Sequence, residues 1–159
     1  MNKKDIRQKY NSGVTLFIAI LVTGTLLLVS SAIVSIALRE AYITRAARES
    51  QYAFYAADTG AECALYWDVK NPTGVSAFAT TTGSTIYCNR DNNNLGNQWV
   101  VGGSDTSTID EITFLPDPYC AKVVVTKGID GSTTIESHGY NTCEPNSSGR
   151  VERAVRATY

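Results

Sequence analysis

The segment Asn11-Ser-Gly-Val-Thr-Leu-Phe-Ile opens a run, residues 14–38, that contains no charged residue and no proline. A helix rises about 1.5 Å per residue, so this run is long enough to cross a hydrocarbon core of about 30 Å. A cleavable secretory signal has a shorter apolar core of roughly 7–15 residues, followed by a small-x-small box. Ser35 to Ala37 mimic such a box and keep that reading open, yet the run is longer than an ordinary signal needs. Lys3, Lys4, Arg7 and Lys9 precede it, offset only by Asp5. That bias predicts a cytoplasmic N-terminus and an extracytoplasmic C-terminal part.

The helical pattern continues past the run. Residues 39–67 lack proline and are rich in alanine. Phe54, Ala57, Ala61, Ala64 and Leu65 recur at helical spacing, opposite Arg45, Arg48, Glu49 and Glu62. Pro72, within Asn71-Pro-Thr-Gly, marks the latest end of this helix. The expectation is one helix of about fifty residues, apolar all round in its first half and amphipathic in its second. The chain then divides into residues 1–13, a short basic leader; 14–38, the apolar helix; 39–71, its amphipathic continuation; and 72–159, a strand-rich domain.

The last of these regions turns to Gly, Ser, Thr and Asn with short apolar runs. Residues 122–126 and 133–137 flank Gly128-Ile-Asp-Gly131, a hairpin signal. Residues 151–158 alternate Val/Ala with Glu/Arg, as a half-buried strand does. Residues 109–115 and 98–101 read as further strands. The predicted fold class is α+β, with the second half of the helix packed on a small antiparallel sheet.

The 14 Lys+Arg nearly cancel the 15 Asp+Glu, so no polybasic surface points to nucleic acid. Cys63, Cys88, Cys120 and Cys143 include no CxxC pair, which argues against zinc and, in a chain with a leader, for two disulfides in an oxidising compartment. Three pairings are possible. Cys63–Cys88 with Cys120–Cys143 is favoured because the second pair brackets the hairpin; buried free thiols are the alternative.

Together these pieces resemble the type IV pilin and pseudopilin superfamily: a basic leader ending in Gly13, an apolar stretch opening Val14-Thr15-Leu16, a long N-terminal helix and a small strand domain. The resemblance implies a pilin-like fold, cleavage between Gly13 and Val14 by a prepilin peptidase, and methylation of the new amine at Val14. It also implies other pilin or pseudopilin subunits, an inner-membrane assembly platform and, before assembly, the lipid bilayer as partners. Most members of the superfamily carry glutamate at the fifth mature position, where it is thought to pair with a neighbour's N-terminal ammonium. Here that position is Ile18. The departure favours a minor or tip subunit over the repeating shaft subunit, since a tip has no neighbour above it. The stretch Phe54-Tyr-Ala-Ala-Asp-Thr-Gly-Ala-Glu-Cys-Ala is similar to a minor-pilin pattern, and residues 135–140 and 150–159 resemble the final strands of that group. The likeness covers residues 12–67 well and the tail loosely.

Other candidate sites are weaker. Asp91-Asn-Asn-Asn-Leu-Gly96 echoes a calcium loop, but Leu95 replaces an oxygen ligand and an Asn-rich surface loop is the simpler reading. His138 has no recognisable nucleophile partner. Asp58 and Glu62 stand one helical turn apart, within the minor-pilin-like motif, where a structural or subunit-contact role fits better than catalysis. Gly24 and Ser30-Ser31 permit close helix approach, and Asn146-Ser-Ser matches a glycosylation sequon. With no nucleophile, metal or carboxylate constellation in view, the expected role is non-catalytic, without cofactor or metal. The rival is a single-pass anchored surface protein that binds a ligand and does not polymerise.

Overall fold

The structure, a computed structural model, describes residues 3–89 and 96–159, with side chains from Gly13 onward. Helix α1 spans Lys3–Val69, followed by β1 (Gly83–Tyr87), β2 (Gln98–Gly102), β3 (Thr106–Thr113), β4 (Cys120–Lys127), β5 (Thr133–Tyr140) and β6 (Glu152–Thr158). The chain forms two units, Met1–Arg45 and Ala46–Tyr159. The fold is α+β, a layout consistent with a pilin-like fold.

In the first unit α1 is apolar and open. Its best eighteen-residue window reaches a mean hydropathy of 2.5 with none of it buried, so it is long and apolar enough to span a membrane.

In the second unit the rest of α1 packs on an antiparallel sheet of order β3-β4-β5-β6. Alternation decides which side chains face the helix. Ala121, Val123 and Val125 of β4, with Thr133, Ile135, Ser137 and Gly139 of β5, are buried. Ile109 and Ile112 of β3 join them, on either side of a register shift. Against these the helix presents Ala53, Ala56, Ala57, Gly60, Ala61 and Ala64.

The seam is closely packed. A Cβ on Gly139 would lie 2.1 Å from the Ala53 carbonyl oxygen and 2.2 Å from the Ala57 nitrogen. A Cβ on Gly60 would lie 2.6 Å from Ser137 Oγ. This approach corrects the expected buried stripe. Ala57, Ala61 and Ala64 lie in the core, whereas Phe54 and Leu65 remain 47% and 41% exposed, because helix and sheet leave room only for small side chains.

The expected hairpin joins β4 to β5. Gly128 N donates to Ser132 O at 2.8 Å, and Asp130 Oδ1 accepts from Ser132 N at 3.0 Å. The expected strand at 109–115 begins earlier, at Thr106, and ends at Thr113. Strand β1 was not expected. It pairs with β2 in a separate two-stranded sheet. Asn97, 1% exposed, ties β2 to β3: its Nδ2 donates to the Thr113 carbonyl at 2.8 Å, and its Oδ1 accepts from Thr113 N at 3.1 Å.

Candidate functional site

The first candidate is the apolar surface that begins at the expected cleavage point. Gly13, Val14 and Ile18 all lie in α1, and beyond its own helix backbone and chain neighbours no described atom comes within 4 Å of a Cβ placed on Gly13. Val14 is 53% and Ile18 54% exposed. The consecutive residues Leu26, Leu27, Leu28 and Val29 are all exposed, so apolar side chains cover every side of the helix. Such a surface is stable only where lipid or another apolar surface meets it.

Four hydroxyls along this run are satisfied locally. Thr23 Oγ1 donates to Ala19 O at 2.8 Å, Thr25 Oγ1 to Val22 O at 2.9 Å, Ser30 Oγ to Leu26 O at 2.8 Å and Ser31 Oγ to Leu28 O at 3.1 Å. Each of these four hydroxyls bonds to its own helix, so none of the four requires water or an external partner.

Where α1 ends, a charged hub holds the strand domain. The Asp68 carboxylate accepts from Lys127 Nζ at 2.6 Å, from Tyr159 Oη at 2.5 Å and from Ser76 Oγ. Its side chain is only 4% exposed. Burial alone would raise its pKa, but the bonds from Lys127, Ser76 and Tyr159, with the Lys127 charge, outweigh burial and hold it below the usual carboxylate range. Burial and the bond to Asp68 push the Tyr159 hydroxyl the other way, well up. None of these residues stood out in the sequence. An aspartate, a lysine and a C-terminal tyrosine far apart in the chain carry no local signal.

The disulfide Cys63–Cys88 is formed, with Cα atoms 5.9 Å apart, and fastens the end of β1 to the helix. Trp67 Nε1 adds a hydrogen bond to Tyr87 O at 2.9 Å. The second expected bridge is absent here: Cys120 and Cys143 are thiols. They nonetheless come together, and with a Glu111 oxygen their sulfurs form a trio of atoms all within 4.8 Å of one another. Burial pushes both thiols up, and the nearby Glu111 carboxylate adds to the shift.

The remaining sequence candidates stay apart. His138 Nδ1 pairs with Glu152 Oε1 at 2.6 Å across β5 and β6, a cross-strand contact. Asp58 is half-buried and Glu62 exposed. Glu49, expected on a solvated face, accepts from Asn141 Nδ2 at 2.9 Å. Asn146 is exposed in a turn. Asp91 and the four residues after it, the core of the calcium-like loop, lie outside the described residues. One groove of about 460 Å³ is lined by Glu62, Leu65, Tyr66, Val69, Lys70 and Tyr159, and is almost wholly apolar.

Comparison of the chain with protein-family models, with curated proteins and with solved structures finds no match.

Proposed function

We propose that this chain is a minor pilin or pseudopilin-like structural subunit of a type IV pilus or a type II secretion-like filament. A prepilin peptidase cuts between Gly13 and Val14 and methylates Val14, and the retained apolar helix is the assembly element. The observation that carries this reading is the segment that follows Gly13-Val14, whose apolar side chains are exposed on every side and have no buried contact among the described residues. Before assembly that segment sits in the bilayer as a single span, with the basic leader in the cytoplasm and the strand domain outside. Helix–helix packing in the filament then replaces lipid contact. Such a segment has no role in a soluble domain, and its length exceeds that of an ordinary signal peptide.

Ile18 supports the minor or tip position. A neighbour's N-terminal ammonium in a low-dielectric bundle needs a counter-charge, since an unpaired charge there costs several kcal/mol. Isoleucine supplies none, so a position with no neighbour above it suits this chain. The proposed role is structural, through subunit contacts and the inner-membrane assembly platform, and does not involve nucleic-acid binding or catalysis.

The test is N-terminal sequencing of the protein from cells that contain the peptidase, with Gly13→Phe alongside. Methylated Val14 as the first residue, and an unprocessed Gly13→Phe variant, are expected. An intact leader on both, with no co-fractionation with sheared filaments, would overturn the reading in favour of an anchored surface protein that does not polymerise.

A further inference from the structure

Glu111, Cys120 and Cys143 come from three separate parts of the strand domain. Glu111 lies at the register shift of β3, between Ile109 and Ile112. Bulges of this kind bend a strand and re-aim a side chain. Cys120 is the first residue of β4 and is buried. Cys143 follows β5 and is half-buried; its backbone N and its sulfur both contact Pro118 O, at 3.0 and 3.4 Å. The fold therefore places both sulfurs beside β4 and brings a carboxylate over them from the edge strand.

We propose that Glu111, Cys120 and Cys143 form a binding site for a borderline-soft divalent cation of the zinc type. Zinc is bound by thiolate sulfur at about 2.3 Å and carboxylate oxygen at about 2.0–2.2 Å in tetrahedral geometry. Ligand atoms arranged that way stand under 4 Å from one another, and the trio here already lies within 4.8 Å. A small rotamer adjustment closes the difference.

A disulfide would use the two sulfurs and leave Glu111 without a role; a cation uses all three. The charges also favour a cation. Two thiolates and a carboxylate repel one another when alone. Arg150, stacked on the Tyr140 ring at 3.8 Å, is close enough to act on both sulfurs. With a divalent cation added, the two thiolates and one carboxylate are balanced by the metal and Arg150. Binding releases one proton from each thiol to solvent and changes no oxidation state. Three protein ligands leave a fourth position for water or for a donor from another chain.

The sequence pointed the other way because it lacks paired ligands at short spacing. Here the site is assembled by tertiary structure, through the pairing of β3 with β4 and of β4 with β5. The site does not depend on the filament role, but it requires both thiols to stay reduced where the strand domain resides.

The test is cobalt titration of the full chain in detergent, with Cys63→Ala and Cys88→Ala so that reduction frees no other thiols, after treatment with a phosphine and removal of the reductant. One equivalent of Co2+ should bind with a thiolate-to-cobalt charge-transfer band and the visible absorption of tetrahedral cobalt, and Zn2+ should displace it. Cys120→Ser and Cys143→Ser should each lose the band. Glu111→Gln, on an exposed side chain that the fold does not need, should keep the fold and weaken binding about tenfold or more. Absence of the band in this reduced chain would overturn the site. So would cobalt affinity unchanged in Glu111→Gln, or recovery of a Cys120–Cys143 disulfide with no metal uptake after its reduction.

Discussion

Tyr159 donates a hydrogen bond to Asp68 at 2.5 Å, which closes the end of β6 onto the last turn of α1. Thr133 and Tyr159 reinforce the closure with a reciprocal backbone pair at 2.8 and 3.1 Å. Lys127 bonds to the same carboxylate and to Thr133 Oγ1 at 2.8 Å. Asp68→Asn keeps the shape but leaves Lys127, 18% exposed, without its counter-charge. The expected cost is about 2–4 kcal/mol, and about 1–3 kcal/mol for Tyr159→Phe, read from thermal unfolding of the full chain in detergent.

The same carboxylate gives the fold an acid dependence. Its pKa is lowered in the folded chain, so its contribution is complete above the unfolded value of about 3.9. It is lost as the pH falls through the lower folded value. Urea midpoints measured between about pH 3 and 6 should fall more steeply in the wild type than in Asp68→Asn.

Gly139 sets how closely the sheet approaches the helix. Gly139→Ala would force a methyl group to within 2.1 Å of the Ala53 carbonyl, a backbone atom that has no room to yield. A loss of about 3 kcal/mol or more is expected, at or beyond the upper end for overpacked cores. Gly24→Ala, with open space around it, should leave the melting temperature unchanged or raised.

Replacing both Cys63 and Cys88 with alanine removes a bridge that spans a sequence separation of 25. About 3 kcal/mol should be lost, measured as a lower denaturant midpoint. Reducing agent should shift the wild type by a similar amount and leave the double variant unmoved.

On the filament proposal, Ile18→Glu supplies the counter-charge that a shaft position needs. The variant chain should increase in sheared filament fractions relative to the wild type, measured by quantitative blotting against a membrane fraction. Equal partition of the two proteins would remove Ile18 as the basis for a minor or tip role.

Much of this fold was legible because its signals are local. The uncharged run needed only counting, and the absence of proline before Pro72 carried the helix to within two residues of its observed end at Val69. Gly128 and Gly131 flagged the β4–β5 turn, and alternation flagged β6. Other features depended on partners that the sequence does not place. Phe54 and Leu65 have the right spacing for a core face, yet the sheet approaches the alanines beside them. Strand β1, Gly83-Ser-Thr-Ile-Tyr, alternates in burial, but its inward positions are Ser84 and Ile86, so the sequence carries no apolar alternation to flag it. The meeting of Glu111 with Cys120 and Cys143 depends on strand order and a register shift, neither of which follows from spacing along the chain.

The hydroxyls of Thr23, Thr25, Ser30 and Ser31, folded back onto their own carbonyls, make these four positions indifferent to what surrounds them. A helix whose polar atoms bonded to neighbours would break those bonds on every change of surroundings. At these four positions the helix would exchange hydrocarbon for protein, or protein for hydrocarbon, without stranding a donor. On the filament proposal, passage from bilayer to filament would break none of these four bonds, so they set no barrier in either direction.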